Sequence, residues 1–326
     1  MSNKLSLHLN VFSQYRTQIM GIAAIMILIC HIVGCGVLLP DLLKKIFTIG
    51  NYGVDVFMFV SGLGMYYSIN NKSSIYQWYQ KRYTRIFVPY FIISIPYCIL
   101  MFSLDKFSLQ DILLNLTTFD FWMHHTGAWF ISTVIFLYLI TPFLKRKQYS
   151  LKTGIIVAAT ISAVIILISN IITTDNHIIS NIRFALNRSL LFFFGYYMAN
   201  SIKNKECIKL NYILVACALS LILYKFFGVY TALTIPILAI LGYSIVTICK
   251  SHITNDILTF FGKISLESYL TNIYLGALLK GVDFGHVGYG NYLMYTLVLL
   301  IGIPLAYIVN KISNKKNKHI TNNNKP

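Results

Sequence analysis

Apolar runs of about twenty residues recur along this chain, and a run of that length has few places to go. At a rise of about 1.5 Å per residue, one such run laid out as a helix crosses the roughly 30 Å hydrocarbon core of a bilayer. The runs fall at 17–39, 53–69, 86–104, 127–144, 153–172, 184–201, 210–225, 228–249, 257–279 and 290–310. They predict an all-α fold, a polytopic integral membrane helix bundle of about ten transmembrane helices. Composition points the same way. With 56% of 326 residues apolar and only 11% charged, a water-soluble domain would lack the polar surface to cover itself.

The basic residues supply an orientation. With ten spans and both termini cytoplasmic, most of the 27 Lys and Arg fall on the cytoplasmic side, as positive-inside loops require. Lys44, Lys45, Lys106, Arg183, Arg188, Lys225 and Lys280 are left outside. The +17 net charge is thus divided among short loops, and no basic domain is present to bind nucleic acid. The expected organisation is a cytoplasmic N-terminal segment (1–16), a transmembrane domain (17–310) and a disordered basic cytoplasmic tail (311–326) near anionic membrane lipid. The first run is full length with no small-residue cleavage site after it, so it is expected to remain as the first helix. The expected location is the cell (inner or plasma) membrane, with multiple passes.

Common soluble chemistries find no support. The chain has no Walker loop, GxSxG elbow, HExxH helix or CxxC pair, and its six cysteines lie in or beside the spans as small apolar residues. No metal centre is expected: His124 and His125 adjoin each other near Asp120, but no further ligand is apparent.

Ionisable groups inside spans are costly and usually face a cavity or a partner. Three stand well within the apolar runs: His31, Asp55 and Glu267. The plain alternative for each is a hydrogen-bonded contact between helices, with Lys263 one turn away as the partner for Glu267. Helical rise puts His31 roughly 12 Å below the outer surface and Asp55 about 5 Å below it on the returning helix. A hairpin could pair them, with the carboxylate orienting an imidazole that accepts protons near neutral pH. On the opposite side, Arg82 and Arg85 precede the run beginning at Ile86 and share a helix face. They suit phosphate groups arriving from the cytosol, or a simple positive-inside anchor. Trp129 and Tyr138 read mainly as packing or interface aromatics.

Several segments resemble one family. Gly53-Val54-Asp55-Val56-Phe57-Met58-Phe59-Val60-Ser61-Gly62 is similar to the second-helix signature of the membrane-bound acyltransferase 3 family, whose members O-acylate surface carbohydrates. Met20-Gly21-Ile22-Ala23 leading to His31 resembles the first helix with the family's histidine, and Arg82-Tyr83-Thr84-Arg85-Ile86-Phe87-Val88-Pro89-Tyr90 resembles its basic motif. Trp129-Phe130-Ile131 with Tyr138 and Pro142 matches the fourth-helix pattern, and Gly262-Lys263-Ile264-Ser265-Leu266-Glu267-Ser268-Tyr269-Leu270 the penultimate stretch. Two positions depart from the pattern. Met20 stands where the family commonly has arginine, with Arg16 one turn earlier on the same face, and Asn272 stands where histidine often closes the penultimate stretch.

The resemblance implies transfer of an acyl group, in the main acetyl, from a cytoplasmic acyl-CoA to a hydroxyl of a surface polysaccharide or lipid-linked sugar. His31 would be the base or carry the acyl group transiently, and Asp55 would support it. Arg82, Arg85 and Arg16 would hold the donor's phosphates; Ser61, Trp129, Tyr138 and Glu267 would line or support a passage through the bundle. Acyl-CoA (acetyl-CoA) is then a co-substrate, with no bound cofactor. The competing reading is a proton-coupled transporter with His31, Asp55 and Glu267 as its relay.

Overall fold

In lipid the backbone must satisfy its own polar groups, so apolar runs of this length become helices. The structure, a computed structural model, is defined for residues 6–69, 74–124, 127–144, 148–171, 176–280 and 289–323, with side chains left undefined at 289, 290 and 317–323. Its elements begin with β1 (Ser6–His8), α1 (Val11–Gln14), α2 (Arg16–Gly34), α3 (Asp41–Ile49), α4 (Tyr52–Ser68) and α5 (Ile75–Ser103). Next come α6 (Leu109–Leu116), α7 (Asp120–His124), α8 (Trp129–Ile140), α9 (Leu151–Ile171) and α10 (His177–Lys203). The chain continues through β2 (Cys207–Lys209), α11 (Leu210–Phe227), α12 (Thr234–Ile248), α13 (His252–Lys263), α14 (Ser265–Leu279) and α15 (Tyr289–Asn323).

Every one of the ten apolar runs is helical. Among the described residues, seven stretches are long and apolar enough to cross a membrane: Arg16–Gly34, Asp41–Ser68, Ile75–Ser103, Leu151–Ile171, Leu210–Phe227, Tyr230–Ile248 and Asn291–Lys316. The fold is a polytopic membrane helix bundle. Three further helices fall outside that set for separate reasons. α8 has 12 residues and α14 has 15, whereas α10 has 27 but carries polar side chains such as Asn181, Arg188 and Asn200. All three of those side chains are buried. A helix walled by other helices meets protein instead of lipid, so its polarity can be met by partners.

Close backbone packing explains why α10 lies inside. It runs parallel to α4, and the two backbones meet at Gly62 and Gly195. A Cβ built on Gly62 would lie 1.9 Å from the Phe192 carbonyl oxygen, and one on Gly195 would lie 1.9 Å from that of Phe59. Only glycine permits this approach. Nearly all of α4 is buried in consequence, from Gly53 to Met65 with Ser61 half-buried.

Two expectations need correction. The span foreseen at 257–279 is two helices: α13 ends at Lys263 and α14 starts at Ser265, with Ile264 between them. Glu267 therefore sits in the first turn of a helix, not at the middle of one. The run foreseen from Ile86 opens eleven residues earlier, at Ile75, so Arg82 and Arg85 lie within α5. Ser74 caps that helix by accepting from the Gln77 amide, and its polar first turns extend an apolar span that composition alone would start later. α15 runs from Tyr289 to Asn323, past the end of the last apolar run.

The N-terminal segment is tied down. β1 pairs antiparallel with β2 in the register Leu7↔Ile208, and Leu7, Leu9, Val11 and Phe12 are buried beneath it. Lys4, Lys72, Lys145, Arg146, Lys147, His125 and residues 324–326 fall outside the described residues.

Candidate active site

His31 lies on the last full turn of α2, three residues before the helix ends at Gly34. Its Nδ1 is 2.5 Å from Oδ1 of Asn272 on α14, 241 residues away in sequence. Asn272 Nδ2 donates to the Tyr295 hydroxyl at 3.1 Å, and that hydroxyl donates to the backbone carbonyl of Leu28, one turn below His31. Three helices, α2, α14 and α15, are thereby joined around one imidazole. Asn272 was legible only as a departure from a family pattern, and Tyr295 carried no signal at all.

The expected pairing of His31 with Asp55 is not formed. Asp55, fully buried in the first turn of α4, binds Arg188 of α10 through Oδ2 at 2.8 Å and accepts from Thr234 Oγ1 at 3.2 Å. A hairpin would have allowed the histidine contact, but the parallel packing of α4 on α10 brings a guanidinium instead. That cation offsets the cost of burying the carboxylate, and the helix N-terminus favours it too. Arg188 was assigned to the outer surface, yet it is 8% exposed. Its guanidinium carbon lies 5.8 Å from the Trp129 ring centre and 5.5 Å from that of Phe184. The signal was available in the sequence: Arg188 stands inside the apolar run 184–201, where an arginine needs a counter-ion.

At the other end of the bundle, six of the expected residues share one cavity of about 320 Å³. Arg16, Arg82, Arg85, Ser61, Tyr138 and Glu267 all line it, with Lys263 and Asn310 beside them. Arg16 reaches across α4, with Nη2 3.5 Å from the Val60 carbonyl oxygen. It lies over Gly64, where a Cβ would approach Nη2 to 2.5 Å. The Nε atoms of Arg16 and Arg82 are buried without hydrogen-bond partners. Among the described residues no carboxylate is within ion-pair distance of Arg16, Arg82 or Arg85. Glu267 does not pair with Lys263; it accepts from Asn310 Nδ2 at 3.0 Å, and the same amide donates to the Lys263 carbonyl. The cavity thus gathers three guanidinium groups against one carboxylate, and its excess of positive charge suits an anion.

Its far wall turns apolar through Met20, Val54, Phe57, Phe130 and Val134, and reaches Ile27 on α2. Ile27 precedes His31 by one turn, about 6 Å along the axis and on the same face. His31, Asp55 and Trp129 do not line the cavity. No hydrogen bond joins any two of His31, Asp55 and Glu267, which bind Asn272, Arg188 with Thr234, and Asn310 respectively. On the His31 side, His124 Nδ1 is 3.1 Å from Asp120 Oδ1 within one short helix; His125 lies outside the described residues.

Fold and site together define a membrane-embedded helical protein whose internal cavity leads from a cluster of guanidinium groups toward a held imidazole. Residues 19–311 match the acyltransferase domain of the acyltransferase 3 family, and the chain belongs to that family. It is a membrane acyltransferase. Comparison with curated proteins gave no match, and comparison with solved structures gave none.

Proposed function

We propose that the protein transfers an acyl group, acetyl in the first instance, from a cytoplasmic acyl-CoA to a sugar hydroxyl of a surface polysaccharide or lipid-linked glycan. One observation carries this reading: an anion pocket with orphaned guanidinium donors opens into an apolar channel that stops one turn short of His31. The phosphates of the donor would rest on Arg16, Arg82 and Arg85. The thin, uncharged arm that carries the thioester fits the apolar stretch beyond them. On this reading the basic end of the bundle would lie at the cytosol of a cell membrane and His31 toward the outer face, with the acyl group crossing inside the protein.

In the reaction, the acceptor hydroxyl gives its proton to His31 as its oxygen bonds to the thioester carbonyl carbon. The carbon–sulfur bond then breaks, and the departing thiolate takes the proton from the imidazolium, so the ring ends as it began. Asp55 contributes from a distance: with Arg188 and Trp129 it fixes α4 against α10 and so holds one wall of the channel. Ser61, Tyr138 and Glu267 line the donor pocket.

The test is transfer of label from radiolabelled acetyl-CoA into membrane glycans, with wild type and His31→Ala compared at equal expression. Loss of transfer in the variant is the expected result; unchanged transfer would remove His31 from the chemistry.

A further inference from the structure

A backbone carbonyl can only accept a hydrogen bond, and this simple fact orients every proton around His31. The Leu28 carbonyl takes the hydroxyl proton of Tyr295, which leaves the Tyr295 oxygen able only to accept. The group facing it must therefore be the NH₂ of Asn272, and Nδ2 stands there at 3.1 Å. With its NH₂ so committed, Asn272 presents its carbonyl oxygen to His31. That oxygen also only accepts, so the Nδ1 atom 2.5 Å away carries the ring proton. The reverse orientation of the amide would set two acceptors against each other at Tyr295. In a neutral imidazole with Nδ1 protonated, Nε2 is bare.

We propose that Asn272 and Tyr295 are positioning residues that lock His31 in the Nδ1–H tautomer and reserve Nε2 as the proton acceptor for the incoming hydroxyl. The inference rests on the reading of His31 as the base. Proton movement is balanced throughout. Nε2 gains the hydroxyl proton and later yields it to the thiolate, while the Nδ1 proton stays on its bond to Asn272. That bond also accommodates the positive ring, because the amide oxygen keeps accepting when the ring is charged. All three anchors come from helices that pack around the ring, so its orientation is set before substrate arrives. Tyr295 is 3% exposed and Asn272 is 5% exposed, so water is poorly placed to replace either partner.

The experiment uses full-length protein in detergent or nanodiscs, labelled with ¹⁵N-histidine. His31→Ala assigns the resonances of this ring, and Asn272→Leu and Tyr295→Phe are the tested variants. Tyr295→Phe keeps the ring and its packing, so it stays informative if the leucine variant fails to fold. The wild type is expected to show Nδ1 protonated and Nε2 unprotonated, with both variants giving mixed tautomers. With acetyl-CoA as donor and membrane glycans as acceptor, kcat should fall on the order of tenfold in Asn272→Leu and severalfold in Tyr295→Phe. The KM for acetyl-CoA should stay as it is, since neither residue touches the donor pocket. A wild-type ring protonated at Nε2 overturns the proposal, as does a kcat unaltered in both variants. If His31→Ala abolishes transfer while both variants keep full kcat, the positioning role fails and the base survives. If the tautomer is as stated but His31→Ala still transfers, the role of Nε2 as acceptor falls with the base.

Discussion

Two kinds of arginine coexist in this protein, and they should respond to substitution in opposite ways. Arg82 faces a cavity, has a buried Nε with no partner and, among the described residues, pairs with no carboxylate. Arg82→Ala should therefore leave folding largely intact and raise the KM for acyl-CoA about tenfold or more, as loss of a charge-assisted contact does. Steady-state kinetics over a range of acetyl-CoA concentrations checks it. Arg188 is a structural partner: Arg188→Leu strands the Asp55 carboxylate in the interior, at a cost of about 3–5 kcal/mol. The double variant Asp55→Leu with Arg188→Leu should recover most of that loss, and thermal unfolding of the four proteins gives the coupling. Gly64→Ala belongs with the first kind. Its new methyl group would displace the Arg16 guanidinium, a flexible end, so donor KM should rise severalfold with little change in Tm. The residues legible in the sequence were the ones whose rarity marks them, such as His31 in an oily run and Arg82 and Arg85 at the edge of another. Asn272, Tyr295 and the true partner of Asp55 were not legible, because their meaning depends on which helices become neighbours across 241 and 133 residues of chain.

Among the elements, α4 and α10 form the frame on which the site is measured out. At Gly62 and Gly195 the obstacle to any side chain is the backbone of the opposite helix, which cannot swing aside as a side chain can. Gly62→Ala and Gly195→Ala should each lower the unfolding temperature sharply and reduce the amount of protein recovered from membranes. A comparable change at Gly276, where a Cβ would meet nothing within 4 Å, should be silent in the same assay. Hydropathy located every one of the ten helical runs but misjudged two of their internal details. It could not see the joint at Ile264, since apolar residues continue on both sides, although Lys263 inside the run was a hint. It also set α5 too short, because the helix begins in polar residues that a transfer scale counts as loop.

Taken as a whole, the molecule carries a net charge of +17 and collects many of its cations at the end where Arg16, Arg82 and Lys263 open the cavity. Cys207 lies at that same end, exposed on β2. In a variant that keeps Cys207 as its only cysteine, an impermeant maleimide should label inverted membrane vesicles and leave intact cells unlabelled. The opposite pattern would turn the protein over in the membrane and place the donor pocket on the wrong side for cytosolic acyl-CoA. The close contact of α4 with α10 also has a mechanical reading. Two helices locked backbone to backbone behave as a fixed jaw, so any widening needed to admit the proposed acyl-CoA falls on the facing jaw. That jaw is built from α5, with Pro89 and Pro96 interrupting its ladder of hydrogen bonds, and from α14, which is jointed at Ile264 to an α13 held as closely against α2 through Gly21 and Gly262. Hydrogen exchange should then find fast amides beside the prolines and at Ile264, and slow ones along Phe59 to Leu63. The enzyme would open like a hinged clasp, with the stiff side keeping its dimensions while the other side yields.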